Sequence, residues 1–515
     1  MSAGRTVTPA TMTRRQRWTA LVILAGSLLV VMMDMTILIM ALPALVADLG
    51  ASADEQLWIV DIYSLFLAGL LIPMSAIADR WGRKKTLLCG FAVFGLVSIL
   101  VLVADSPVFV IVLRALLGAA GAMIMPTTLS MIRTVFRDPG ERAKALAIWS
   151  VISGLGMVIG PVVGGTLLEF FNWHAAFLIN VPFVAVAVGA GVFLLPEALD
   201  PNPPRWDFLA AVLSIAGMAG LVWGIKELAR HGGADLASWA IIASALAVLT
   251  WFVLRCLTRS DPLIDVRLFR SRAFTAGALA ALTSSFAWGA LLLLVAQWLQ
   301  AVEGLSPMIA GLALVPMALG SLIAAPLAPR LAIRIGARVV LAGGLAVTGV
   351  GMMLLCLVND PLTYAGLVGP LVLVGSGAGS LAIGSAIIMG STPSGKAGNA
   401  AAIEESMYDV GNVLGIAVLG SIAAALYRSY LDVGRFAHQG VTGQAAVEAN
   451  ESVVNAIGIA DRTGSSGLAA AAVEAFEASL AQASLIGGIV MVAVAVIAYC
   501  LVPRNLDITT HGAEH

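Results

Sequence analysis

Charge is scarce in this sequence. Asp, Glu, Lys and Arg together make up 11% of 515 residues, while 60% are hydrophobic. That balance, with a mean hydropathy of +0.97, excludes an ordinary soluble globular chain. With a net charge of −1, no nucleic-acid partner is expected. Cysteine is scarcer still, at 4 residues. Cys89, Cys256, Cys356 and Cys500 are scattered in or beside apolar segments, with no CxxC pair and no histidine spacing that suggests zinc, so they read as packing residues. A nucleophile motif, a phosphate-binding Walker loop and a metal cluster are also missing, which argues against an enzyme and leaves no cofactor or metal to expect.

What the chain has in abundance is long apolar runs. Most exceed strand length, and many reach the roughly 20 residues that cross hydrocarbon as a helix. The expected fold class is an all-α polytopic membrane protein with about 14 transmembrane helices, at approximately 18–46, 55–78, 86–104, 107–132, 143–169, 175–195, 207–227, 237–257, 273–301, 307–329, 338–358, 362–390, 397–426 and 480–502. The first run is too long for a signal-peptide core and reads as a retained span. Of the 29 Lys and Arg, 23 fall in loops on the side of the N-terminus, 5 on the other side and Arg114 within a span, which puts both termini in the cytoplasm. The proline-rich Pro196–Trp206 ends a first domain, 18–195. The linker and two inserted helices occupy 196–272, the second domain runs 273–502, and 1–17 and 503–515 are tails. Spans seven and eight contain no buried acid and read as passive packing. The outer stretch 427–479 reads as a helical hairpin, AAVEANESVVNAIGIA and LAAAAVEAFEASLAQ joined by DRTGSSG, serving as a bland loop or as a cap over an exit.

Against this background the acids stand out. AAIEESMYDVGNVLG places Glu404, Glu405 and Asp409 inside a span, with Glu405 and Asp409 four apart on one helix face. Asp34 lies in the apolar run of span one and Asp61 about one turn into span two. Five of the 30 Asp and Glu are therefore intramembrane, opposed within spans by Arg114 alone. Each such group costs roughly 2.5–3.5 kcal/mol on insertion scales, so the default reading is a site. A cavity shared by these carboxylates attracts a desolvated organic cation and repels anions, and a proton competes for the same charge.

Several motifs carry a family resemblance. SAIADRWGRKK supplies Asp79, Arg80, Gly82 and Arg83 between spans two and three, with Asp79 expected to accept from backbone amides or from Arg83. SGLGMVIGPVVGG in span five places Gly156, Gly160 and Gly164 every four residues beside Pro161 and Gly165, a stripe that lets helices approach closely. With D-x-T-x-x-x-x-A-L-P at Asp34 and WHAAFLINVP at Trp173–Pro182, the chain resembles the major facilitator superfamily, in particular its 14-span drug:proton antiporter branch and the antiseptic exporters of the staphylococcal quaternary-ammonium type.

That resemblance implies two six-helix bundles plus two inserted helices. It further implies proton-coupled export, by alternating access, of lipophilic organic cations such as quaternary ammonium antiseptics, cationic dyes, biguanides and diamidines. The setting would be a bacterial cytoplasmic membrane, with the chain acting as a monomer, driven by the proton gradient and without a cofactor. The implied titrating and substrate-facing acids are Asp34, Asp61, Glu404, Glu405 and Asp409, with Arg114 in proton coupling. Two departures are notable: Ser75 replaces the first glycine of the loop motif, and Ser321 stands where some such exporters carry an aspartate, which points to weaker handling of divalent cations. A facilitator-fold exporter of another drug or metabolite class is the alternative reading. A passive channel is disfavoured by the asymmetry of the acids and the lack of a repeated filter motif.

Overall fold

In a computed structural model of the chain, the residues described are 12–136, 138–197, 207–231, 235–259, 262, 264–357, 362–393 and 397–503; some side chains within helices, that of Asp79 among them, lie outside the description. All regular structure among these residues is helical. The first helices are α1 (Arg14–Leu49), α2 (Ala53–Trp81), α3 (Arg83–Leu100), α4 (Pro107–Val135), α5 (Pro139–Phe170), the single turn α6 (Ala175–Leu178) and α7 (Asn180–Leu194). A hairpin follows, α8 (Phe208–His231) and α9 (Leu236–Thr258). The rest comprises α10 (Arg272–Gln297), α11 (Pro307–Ala313), α12 (Val315–Ile335), α13 (Ala337–Leu354), α14 (Tyr364–Ala378), α15 (Leu381–Gly390), α16 (Ala397–Gly415), α17 (Ser421–Tyr430), α18 (Gln444–Glu451), α19 (Val453–Thr463) and α20 (Ser466–Leu501).

Local chemistry sets the boundaries. Thr13 opens α1 and Ser52 opens α2, each through a capping box with Gln16 or Glu55. Gly50 ends α1 in the left-handed conformation, φ +66°. Twelve helices among the described residues are long and apolar enough to cross a membrane. α2 and α5, 29 and 32 residues long, are not among the twelve, so the count falls two short of the 14 expected; α5 contributes the shorter apolar run Ile159–Phe170.

Helix pairing follows one pattern twice. α1 packs on α5, α2 on α4, α3 on α4 and α7, while α10 packs on α16, α12 on α14, and α13 on α14 and α20. α2 meets α16, and α5 meets α11, joining the two sets. The α8–α9 hairpin leans on α2 and α17. In the most apolar stretches of α1 and α10, 72% and 78% of residues are buried, against 33% and 17% in α8 and α9, so α1 and α10 are central and the hairpin lies at the periphery.

The face where α1 begins is called near, the opposite one far. On the far face the expected hairpin differs in two ways. Its first arm is broken at Ser452 into α18 and α19. Its second arm is not separate: after Gly464, φ +71°, the chain enters a continuous 36-residue α20 that includes the last span. Ala-rich sequence followed by an apolar run has no helix breaker between them, so one helix forms.

Candidate functional site

Asp34, on α1, is 1% exposed and sits in a fully built pocket. Arg114 of α4 donates Nη1 to Asp34 Oδ2 at 2.6 Å, and Asn180 of α7 donates Nδ2 to Oδ1 at 2.7 Å. Arg114 also donates Nε to the Ile59 carbonyl of α2 at 3.2 Å and lies over the Tyr63 ring, 4.3 Å from its centroid. The Tyr63 hydroxyl donates in turn to the Val31 carbonyl of α1 at 3.2 Å. A buried carboxylate with both oxygens paired to a cation and an amide forms a closed, neutral unit that ties four helices together. The arginine within span four is thus paired with the acid of span one. Asn180 was not singled out from sequence, although a buried amide in the run FLINVP was its available signal.

Asp61 is wholly buried on α2 and faces α8, where Lys226 Nζ stands 2.9 Å from its Oδ2. This corrects two readings. Lys226 is no loop residue of the far side: it is 2% exposed inside α8. The inserted pair thus brings a buried charge to α2, and Arg114 is not the sole cation within the apolar helices. Lys226 lies only five residues from the end of α8, which is why hydropathy placed it at a boundary; only its neighbours show that it turns inward.

The three carboxylates of α16 are arranged otherwise. Glu404 is 7% and Asp409 3% exposed, and Glu405 is half-buried. Ser385 donates to Glu404 Oε2 at 3.2 Å and the Tyr408 hydroxyl to Oε1 at 3.5 Å. Asp409 Oδ2 has no hydrogen-bond partner among the described residues. Nor does any described cation approach these three acids to ion-pair distance. One turn further, Asn412 donates Nδ2 to Ser64 Oγ of α2 at 3.1 Å, so α16 and α2 meet directly beside the acids. A five-residue π segment, Ile416–Gly420, then re-aims the helix into α17. Gly411 and Gly415 lie against the Leu282 and Phe286 carbonyls of α10, an approach that no side chain would permit.

The glycine stripe of α5 serves two neighbours. A Cβ at Gly156 would come within 2.6 Å of Met32 Cβ, one at Gly160 would strike the Thr36 hydroxyl, and one at Gly164 would lie 2.9 Å from the Ile37 carbonyl, so these three seat α5 on α1 beside Asp34. Gly165 turns instead to the Pro307 carbonyl of α11, while Gly311 of α11 meets the Pro161 carbonyl. α5 and α11 thus lock together towards the far face. There Leu57 of α2 also meets Gly420, and Gln300 reaches Met40 of α1.

The loop between α2 and α3 is described only in part. The Asp79 side chain lies outside the described residues, and Arg80 is exposed. Arg83 donates to the Thr134 hydroxyl of α4 at 2.9 Å. Glu197 meets this helix start: it accepts from the Lys84 amide at 3.1 Å and stands where a Gly82 side chain would be. Gly82 has φ +118°, a conformation that favours glycine. Ser321 is half-buried on α12, next to Gly320, which packs on the α14 backbone.

Comparison with known proteins agrees with this architecture. The model of the Major Facilitator Superfamily matches residues 24–415. The chain is 38% identical over 493 residues to the multidrug efflux pump LfrA of Mycolicibacterium smegmatis, covering 93% of this chain and 98% of that one. It is 35% identical over 448 residues to the methyl viologen resistance protein SmvA of Salmonella typhimurium, covering 87% and 90% respectively. Among solved structures, a bacterial homologue of the human lysosomal transporter Spinster, in an inward-facing and unoccupied conformation, superposes with a TM-score of 0.67 at 16% identity, over 95% of this chain and 98% of that one.

Proposed function

This chain belongs to the major facilitator superfamily, is a membrane transporter rather than an enzyme, and from that premise we propose that it is a proton-coupled antiporter exporting lipophilic organic cations by alternating access. The carrying observation is the α16 cluster: among the described residues, Glu404, Glu405 and Asp409 have neutral hydrogen-bond partners only, and one Asp409 oxygen has no partner. Buried carboxylate that lacks a protein cation has two economical ways to be neutral, a proton or a cationic substrate. Mutual exclusion of the two at one site is sufficient for exchange. The charge moved per proton supplies about 2.3 kcal/mol per 100 mV, enough for several protons to expel a cation against its gradient.

The machine is read as two six-helix bundles, 18–195 and 273–502, with α8 and α9 inserted between them and with α2 and α5 crossing the membrane to make 14 spans. The repeated pairing of helices supports this reading. Both termini are placed in the cytoplasm by the basic near-face loops, in a bacterial cytoplasmic membrane. The α5–α11 lock closes the far face, so this conformation serves loading from the cytoplasm. The substrates proposed are quaternary ammonium antiseptics, cationic dyes, biguanides and diamidines, the range of the staphylococcal antiseptic exporters; the printed names of the relatives above, a multidrug pump and a methyl viologen resistance protein, agree with it. Ser321 leaves one wall without a carboxylate, which favours monovalent substrates.

Adding a quaternary ammonium compound to the detergent-solubilised protein in weak buffer tests the proposal. Protons are expected in the medium as the cation binds. A passive pore, or an exporter of neutral drugs, releases none.

A further inference from the structure

The α8–α9 hairpin lies at the periphery, yet its α8 carries a buried ammonium. Lys226 Nζ is 2.9 Å from Asp61 Oδ2 and 4.1 Å from the centroid of the Trp58 ring, and both charged side chains are almost wholly buried. Trp58 and Asp61 are three apart on α2, so they form one surface that receives the lysine. Two further contacts hold the same end of α8. Arg230 approaches Asp54 of α2 at 3.6 Å, and Arg428 of α17 donates to the Ala229 carbonyl at 3.0 Å.

The other charged groups around the pair are accounted for. On α2, Asp54 faces Arg230, and Glu55 caps its own helix through Ser52. On α8, Glu227 is with His231. On α17 Arg428 serves Ala229, and Glu451 of α18 lies near Arg230, Arg428 and Asp54. On α4 Arg114 is committed to Asp34 and the Ile59 carbonyl. Asp61 therefore has one charged partner, Lys226.

We infer that Lys226 is a positioning residue for transport, a clasp that holds the inserted hairpin to α2 while Asp61 is ionised and lets go when Asp61 takes up a proton. The step balances simply. An O–H bond forms on the Asp61 carboxylate, the ion pair is lost, and Lys226 remains an ammonium whose charge is taken by the Trp58 face and by Asp54. Release loosens α8 from α2 while the Arg114 grip on Ile59 persists, so α2 becomes free on one side only. Since α2 also meets α16 through Ser64 and Asn412, the clasp acts on the wall that carries the α16 acids. This inference rests on the proton-coupled reading for its role in transport, but the clasp itself is testable without transport.

The test uses full-length protein in lipid nanodiscs, in a background where the four native cysteines are replaced. Spin labels are placed at Trp223 of α8 and Val112 of α4, which are 52% and 48% exposed. Electron–electron resonance distances are then recorded from alkaline to acid pH. The wild-type background is expected to shift by about 2 Å or more on acidification, and Lys226→Met, Asp61→Asn and the double variant to show the acid distribution at every pH. Lys226→Arg should restore a pH-dependent shift. An unchanged wild-type distance, or a double variant that still shifts with pH, overturns the clasp.

Dye efflux from everted vesicles across the same pH range provides the second readout. Lys226→Met is expected to flatten the pH profile. A purely structural pair would instead leave the profile of the double variant equal to wild type, which also overturns the proposal. If the distance shifts while wild-type efflux is indifferent to the proton gradient, the clasp stands and the proton-coupled reading falls.

Discussion

The acids of α1 and α2 and the acids of α16 are buried at similar cost but answered in opposite ways. Asp34 has Arg114 and Asn180 in a closed unit, and Asp61 has the Lys226 ammonium at ion-pair distance, although its Oδ1 has no hydrogen-bond partner among the described residues. Glu404 has only a serine and a tyrosine, and Asp409 keeps an oxygen with no described partner. Pre-paired carboxylates hold helices and change state only when the pair is broken. Carboxylates without a protein cation remain available to something that arrives. Under the proposed proton-coupled reading, the first set serves coupling and the second serves cargo and its exchange with protons.

The largest effect is expected at the paired set. Asp34→Asn removes the charge that answers Arg114 and leaves a buried guanidinium uncompensated, a defect of about 3–5 kcal/mol in comparable pairs. Transport of every substrate should be lost, by ~100-fold or more, with the protein still inserted. Full efflux driven by a pH gradient in that variant would break the division between the two sets.

Within α16 the expected effects are smaller and unequal. Asp409→Asn should lower transport broadly, because the orphan oxygen is lost for all cargo. Glu404→Gln and Glu405→Gln should reduce it substrate by substrate. Uptake of a panel of cationic dyes into everted vesicles checks this, and equal losses at all three positions would merge the set into one.

Adding a carboxylate sharpens the comparison from the other side. Ser321→Asp should raise diamidine efflux relative to a monovalent dye by about threefold to tenfold, since a good charge contact is worth about 1 kcal/mol in a partly solvated site. An unchanged ratio would separate Ser321 from the cargo site.

The smallest effect belongs to the pair that joins the near-face ends of α8 and α9. Arg255 of α9 holds Asp207, just before α8, through three hydrogen bonds of 2.9–3.1 Å. Burial alone pushes the Asp207 carboxyl up, but the Arg255 guanidinium and the Ala210 amide outweigh it and hold the group below the usual carboxylate range. The pair's stabilisation is thus present above the ordinary aspartate value near pH ~4 and fades as pH falls through the lowered one. Asp207→Asn should cost roughly 1 kcal/mol or less, seen as a few degrees in thermal unfolding at neutral pH and as no difference from wild type in strong acid.

Much of this architecture is written locally in the chain. Apolar run length gives most of the spans, and the spacing of Gly156, Gly160 and Gly164 gives a face that can only meet another helix closely. The three α16 acids are conspicuous because carboxylates are costly in an apolar run. These features depend on neighbours a few residues away, which sequence displays directly. Partner choice does not. Arg114 and Asp34 are 80 residues apart, Lys226 comes from an inserted hairpin that hydropathy reads as filler, and Glu197 meets Gly82 and Lys84 from the start of the linker, 113 residues beyond Lys84. Sequence by itself determined that buried carboxylates exist and where in the chain they lie, but it missed the second buried cation, Lys226. Only tertiary structure decided which were cancelled and which left open, because an ion pair is fixed by a few ångströms in space and leaves no periodicity in the chain.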